Sequence, residues 1–209
     1  MSHDTQTEAE SETLTMYADY VCPFCYLGKN TLEQYRESRD EPLAVEWHPF
    51  DLQGDQRGPD GELDTTADEE DYAQAKENIE RLQEEYGVEM SLSIATDVDS
   101  KNAQQAALYV RETYPEKFAT FHEAVFDALW QDERDIGDPD VLADIATDLE
   151  IDADDLRAAI ADDERETALE ERFAAAKQTG ITGVPTFAYD GYAARGAVPP
   201  AQLERLVEG

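Results

Sequence analysis

The spacing of apolar and polar side chains divides the chain into a strand-rich front, a long helical middle and a strand-rich end. Leu14–Val21 (LTMYADYV) is a short, largely apolar run and predicts a buried strand. Cys22 and Pro23 then open an amphipathic helix running to about Ser38, with the proline at a first-turn position where its missing N–H is not needed. Leu43–Pro49 (LAVEWHP) alternates with a period of two and predicts a second strand. Strand, helix and strand in this order form a βαβ unit, which implies a parallel pair and a right-handed crossover.

Gln53–Ala67 is rich in Gly, Asp and Pro and predicts a surface loop. The period then becomes helical, with helices expected near Asp71–Tyr86, Ser100–Thr113, Glu116–Gln131, Pro139–Leu149, Ala153–Ala161 and Glu164–Thr179. Pro115 and Pro139 suit first-turn positions, Gly87 follows a helix end, and Asp152 and Asp162 suit N-caps. Strand patterning returns in Gly183–Tyr189, followed by the turn Asp190–Gly191, the strand Tyr192–Gly196 and a last helix from about Pro200 to Val207. The expected fold class is therefore α/β, βαβ then ββα, split by a large all-helical insertion. Its boundaries are a disordered acidic tail at 1–12, a sheet-bearing unit at 13–52 and 181–209, and a helical insertion at 53–180.

Charge changes the picture of the surface. Fifty acidic residues oppose sixteen basic ones in 209, a formal net charge of -34. The acids are spread along amphipathic segments that keep their apolar faces, so they describe a solvated shell. Such a shell repels itself unless salt screens it, and the Debye length falls to about 3 Å at 1 M salt. Adaptation to concentrated salt, as in a halophile, is the expectation. Nucleic acid and anionic membrane, both polyanions, are excluded as partners. Met1–Glu12 has neither a basic n-region nor an apolar h-region, and no apolar run approaches the length of a membrane span, so a cytoplasmic protein is expected. In that compartment disulfides are usually transient and catalytic.

The chain has two cysteines, Cys22 and Cys25, in Cys-Pro-Phe-Cys. As a redox dithiol, residues i and i+3 on a first helical turn share a face close enough to bridge. The free N–H groups and the positive dipole end favour a thiolate at the first position. Cys22 is then the exposed nucleophile and Cys25, one turn in, the shielded resolving thiol. As half a zinc site the pair lacks partners, because there is no second C-x-x-C and no H-x₃₋₅-H; no metal and no cofactor are expected. As a structural staple the pair closes too short a loop to constrain the unfolded chain much. A C-x-x-C between strand and helix in a βαβ context favours the redox reading.

Thr182-Gly183-Val184-Pro185-Thr186 leads into the third strand, and Pro185 fits a strand start in either peptide isomer. Strand–CPFC–helix in front, a helical insertion, and Gly-Val-Pro-Thr before a Tyr-Asp-Gly hairpin together resemble the DsbA-like thioredoxin superfamily. Asp19-Tyr20-Val21-Cys22-Pro23-Phe24-Cys25-Tyr26-Leu27-Gly28, Glu46-Trp47-His48-Pro49-Phe50-Asp51-Leu52 and Gly196-Ala197 resemble its FrnE-type branch of cytoplasmic dithiol-disulfide isomerases. The resemblance implies a thioredoxin fold, a cis Pro185 beside the cysteines, and a Val184 backbone that pairs with an extended substrate strand. It implies protein or peptide thiols and disulfides as substrates and a small-molecule thiol as a reductant. Pro23 and Phe24 tune the pair. Family oxidants carry His where Phe24 stands; Phe24 adds no positive charge, so a less oxidising pair is expected.

Asp19, three residues before Cys22, is a candidate proton acceptor or simply a capping carboxylate. His48 is expected as a polar strand residue and His122 as a core-edge histidine. Trp47, Phe50, Tyr26 and Trp130 are expected in the core rather than in a groove. Two rivals to thiol-disulfide exchange are a glutathione-using isomerase or transferase on the same fold, and a holdase-like chaperone with a vestigial dithiol. The intact C-x-x-C argues against the first; survival of aggregation suppression without cysteines would reveal the second.

Overall fold

The computed structural model describes residues 13–58, 63, 69–92 and 97–209. β1 (Thr13–Ala18) has Leu14, Met16 and Ala18 buried in alternation, the signature of a strand with one face on the core. α1 (Pro23–Ser38) follows and leads to β2 (Ala44–Pro49). β1 and β2 pair in parallel, from Thr13 opposite Ala44 to Ala18 opposite Pro49, as the βαβ pattern requires.

Six helices then run between the two halves of the sheet: α2 (Glu69–Tyr86), α3 (Lys101–Thr113), α4 (Phe118–Trp130), α5 (Pro139–Asp148), α6 (Ala153–Ile160) and α7 (Asp163–Gln178). β3 (Thr186–Tyr189), β4 (Tyr192–Arg195) and α8 (Pro200–Glu208) close the fold. β3 is antiparallel to β1 and to β4, and the sheet order is β2-β1-β3-β4. This is the thioredoxin-like α/β architecture with a helical insertion, as the pattern along the chain predicts.

Local chemistry explains the boundaries. Asp138, Asp152 and Asp162 each accept a hydrogen bond from a backbone N–H two residues on, which satisfies orphan donors of α5, α6 and α7. Asp190 and Gly191 both have positive φ (45° and 79°), the two-residue turn whose twist suits a hairpin. Several expected ends shift. β1 stops at Ala18 rather than Val21, because residues 19–21 turn so that the Cys22 N–H reaches the Asp19 carbonyl at 3.2 Å. β3 starts at Thr186, after Pro185, and β4 ends at Arg195, before Gly196. α4 starts at Phe118; Pro115 sits in the preceding turn, where its carbonyl accepts from the Phe118 N–H. The expected tail at 1–12 and residues 59–62 and 64–67 of the expected loop lie outside the described residues; before them, Gly54–Gln56 forms one 3₁₀ turn.

The interior is one continuous cluster joining sheet and helices. α3 runs through it with Ala103, Ala106, Ala107 and Val110 fully buried, small side chains that let α4–α7 pack around it. A satellite cluster of Phe50, Ala176 and Ile181 packs against Tyr17 and Val184, beside the sequence motif that carries Pro185.

Candidate active site

Pro23 at the first helical position puts Cys22 at the N-cap of α1, where its carbonyl accepts from the N–H groups of Cys25 (2.9 Å) and Tyr26 (3.3 Å). The helical turn brings the two cysteines within 3.5 Å of one another. Both are free thiols. The Cys22 thiol points at the Val184 carbonyl oxygen, 3.6 Å away. The peptide bond that follows, Val184–Pro185, is cis. Four of the residues singled out in the sequence, Cys22, Cys25, Val184 and Pro185, thus meet across 160 residues of chain, and Pro23 and Phe24 form the turn between the thiols.

Cys22 is not the exposed nucleophile expected: it is 3% accessible and Cys25 0%. The order of shielding is as expected, but the turn before α1 folds the first thiol in against Val184. Gly28, one turn after Cys25, explains how α1 comes so near. A Cβ there would meet Pro185 Cγ and Phe187 Cζ, both at 3.1 Å, so only glycine fits this helix–strand approach without displacement.

Asp19 lies beneath the pair and is fully buried. Its carboxylate accepts from the N–H groups of Val21 (3.3 Å) and Leu52 (2.8 Å). Burial pushes its pKa up to about 7 despite these hydrogen bonds and one from Ser100, and the Asp51 charge pushes the same way. Burial also pushes the Cys25 thiol up, and its hydrogen bond to Cys22 and the neighbouring Asp19 charge add to this. Cys25 is therefore a thiol that keeps its proton, next to a carboxyl group that titrates near neutrality.

Behind this stands a cluster of rings. Tyr20 Oη and His122 Nδ1 are 2.6 Å apart, and Trp47, Phe118 and Phe126 surround them. His122 is partly buried at the edge of the core; burial, then the Lys29 and Arg111 charges, lowers its pKa to about 3. It is neutral at any ordinary pH and shares one hydrogen bond with the Tyr20 hydroxyl. Trp130 Nε1 donates to the Tyr20 carbonyl at 2.8 Å. Trp47, Phe50, Tyr26 and Trp130 are all buried, as core residues rather than groove walls. His48 is a half-buried strand residue, its ring 4.8 Å from that of Tyr17, and burial lowers its pKa. Sequence reasoning missed the Tyr20–His122 pair, because nothing local announces a partner 102 residues away.

Comparison with known proteins agrees with this geometry. The family model described as a DSBA-like thioredoxin domain matches residues 13–208. The chain is 27% identical over 198 residues to YwbO of Bacillus subtilis strain 168, covering 93% of this chain and 94% of that protein. A structure of a 2-hydroxychromene-2-carboxylate isomerase superposes with a TM-score of 0.77 at 18% identity, covering 92% of this chain and 93% of that one. The cytosolic disulfide reductase DsbM from Pseudomonas aeruginosa, solved with GSH, superposes with a TM-score of 0.61 at 19% identity, covering 87% and 88%.

Proposed function

Because the chain belongs to the DSBA-like thioredoxin domain family, we propose that it exchanges disulfides with protein or peptide substrates through the Cys22–Cys25 pair. The observation that carries this reading is the approach of the two thiols to 3.5 Å at the start of α1. In the reducing direction the Cys22 thiolate attacks one sulfur of a substrate disulfide, which forms a mixed disulfide and releases the other sulfur as a thiolate. Cys25 gives its proton to Asp19 and attacks the Cys22 sulfur. The Cys22–Cys25 disulfide forms, and the second substrate thiolate leaves with both electrons. Oxidation of a substrate dithiol is the same path reversed.

Val184 and Pro185 form the docking wall. A substrate strand laid along Val184 would displace the Cys22 thiol from the Val184 carbonyl and present its own sulfur instead. Asp19 acts as the proton acceptor because it adjoins Cys25 and titrates near neutrality. The FrnE-type motif blocks support the dithiol-disulfide isomerase branch, a cytoplasmic location and no metal or cofactor. The likeness in fold to a cytosolic reductase solved with GSH supports a small thiol as the recycling reductant.

A Cys25→Ser variant tests the reading. Incubated in concentrated salt with a disulfide-bonded peptide, it should accumulate a mixed disulfide through Cys22 that the parent does not retain. Failure to trap any adduct, with the variant folded, removes the exchange mechanism.

A further inference from the structure

The acid-rich character of the chain breaks off around β3 and β4. Fifty of the 209 residues are acidic, and the other half of the sheet shares them, with Glu33 and Glu37 on α1 and Glu46 on β2. From Thr179 to Leu203, by contrast, Asp190 is the sole acid and Arg195 the sole base. This stretch holds the docking wall, Val184 and Pro185, together with β3 and the edge strand β4.

Arg195 stands beside that wall. It is the last residue of β4 and lies opposite Thr186, the residue after Pro185, in the antiparallel register. One residue on, the Gly196 N–H donates to the Pro185 carbonyl at 2.8 Å, which ties the end of β4 to the wall. The Arg195 side chain is exposed, and its Nη2 lies 3.5 Å from the Gly180 carbonyl oxygen. A guanidinium has five N–H donors, and this single long contact occupies one of them. Arg195 makes no ion pair among the described residues, in a chain with fifty carboxylates to sixteen cations. The strip in front of it is open: a Cβ on Gly180, Gly183 or Gly196 would meet nothing within 4 Å.

We infer that Arg195 is a specificity-determining residue that favours polypeptide disulfides flanked by carboxylates. The inference rests on the proposed exchange reaction and names its substrate class. Gly180 precedes Val184 by four residues, a stretch of chain that spans at most about 14 Å. An extended partner rises about 3.3 Å per residue, so side chains two to four residues from its reactive cysteine come within reach of the guanidinium. The planar fork of arginine takes a carboxylate through two parallel N–H···O bonds. Elsewhere the net charge of -34 turns an acidic chain away. Beside the wall the acids are missing and an unpaired cation stands in their place. A basic segment finds carboxylates over most of the surface and has no use for such a spot; an acidic segment does.

The test compares how fast the reduced protein cleaves three homodimeric peptide disulfides, read by acid quenching and chromatography at one salt concentration. The peptides share a sequence except at positions two to four residues either side of the cysteine, which carry Asp, Asn or Lys. The readout is the ratio of the Asp rate to the Asn rate, from which any general slowing by a substitution divides out. Arg195→Ala should lower that ratio about threefold, the size of one exposed ion pair. Arg195→Lys, which keeps the charge without the fork, should give a ratio between those of the parent and Arg195→Ala. Arg195→Glu should lower it further and raise the ratio of the Lys rate to the Asn rate. Ratios that are the same in the parent, Arg195→Ala and Arg195→Glu overturn the inference while leaving the exchange reading in place. Failure of the exchange reading looks different: the parent would then cleave none of the three peptides, and the inference would fall with it.

Discussion

Asp19 shows what one buried carboxyl group does to the protein that holds it. Its pKa is about 7 folded and near 3.8 in an exposed chain. Between those values the folded state binds a proton that the unfolded state has lost, so stability falls as pH rises from about 4 to about 7. One proton changes stability by up to about 1.4 kcal/mol per pH unit in that window. Asp19→Asn should flatten this component, so the variant-minus-parent stability should rise steadily across the window and level off above it. Urea denaturation at four or five pH values measures it; a constant difference would mean that Asp19 ionises as readily folded as unfolded. At this scale the sequence was half legible. Cys22, Cys25 and Pro185 stand out because the motif places each of them at an element boundary. Ser100 reads as an ordinary helix cap, and only the fold sets its hydroxyl against the buried Gln104 amide.

Among elements, the contact of α1 with the start of β3 governs the geometry of the pair. Gly28 in the middle of a helix is unfavourable by roughly 1 kcal/mol relative to alanine. Alanine there would put a methyl 3.1 Å from both Pro185 and Phe187, neither of which can swing aside as a long flexible chain could. Overpacking of this kind costs about 1–3 kcal/mol and outweighs the helix gain. Gly28→Ala should therefore lower the denaturation midpoint and slow reaction with disulfides, as α1 moves away from Pro185. A stabilised variant of normal rate would show that β3 gives way freely. Element order and strand direction were readable because a βαβ pattern admits few arrangements. Ends were misplaced where turn chemistry competes with pattern. The Asp19–Val21 turn is apolar enough to look like strand, and the residues before Phe118 look helical until Pro115 takes up a turn.

For the whole molecule the acidic surface is the dominant fact. Much of it serves the helices locally: Asp138, Asp152 and Asp162 cap α5, α6 and α7, and Asp163, Glu164 and Glu166 sit in the first turn of α7, where the dipole welcomes them. Ion pairs are scattered and mostly exposed, such as Arg157–Asp140 and Arg81–Glu85, and pairs of this kind contribute little. What remains is repulsion among unmatched carboxylates. We expect the thermal midpoint to rise by several degrees between 0.1 M and 1 M KCl, where the screening length shrinks from about 10 Å to about 3 Å. A midpoint unaffected by salt would separate the charge from any halophilic role.

The folded-in position of Cys22 has a consequence of its own. A thiol that is 3% accessible and turned onto the Val184 carbonyl is guarded like a lock rather than displayed like a hook. In the proposed docking, a partner that first forms main-chain bonds along residue 184 would take over the carbonyl and free the sulfur in the same movement. Small oxidants meeting the protein at random lack that key. Selectivity between a disulfide presented on a polypeptide and stray reactive molecules would then arise at the doorway, before any sulfur–sulfur bond is exchanged.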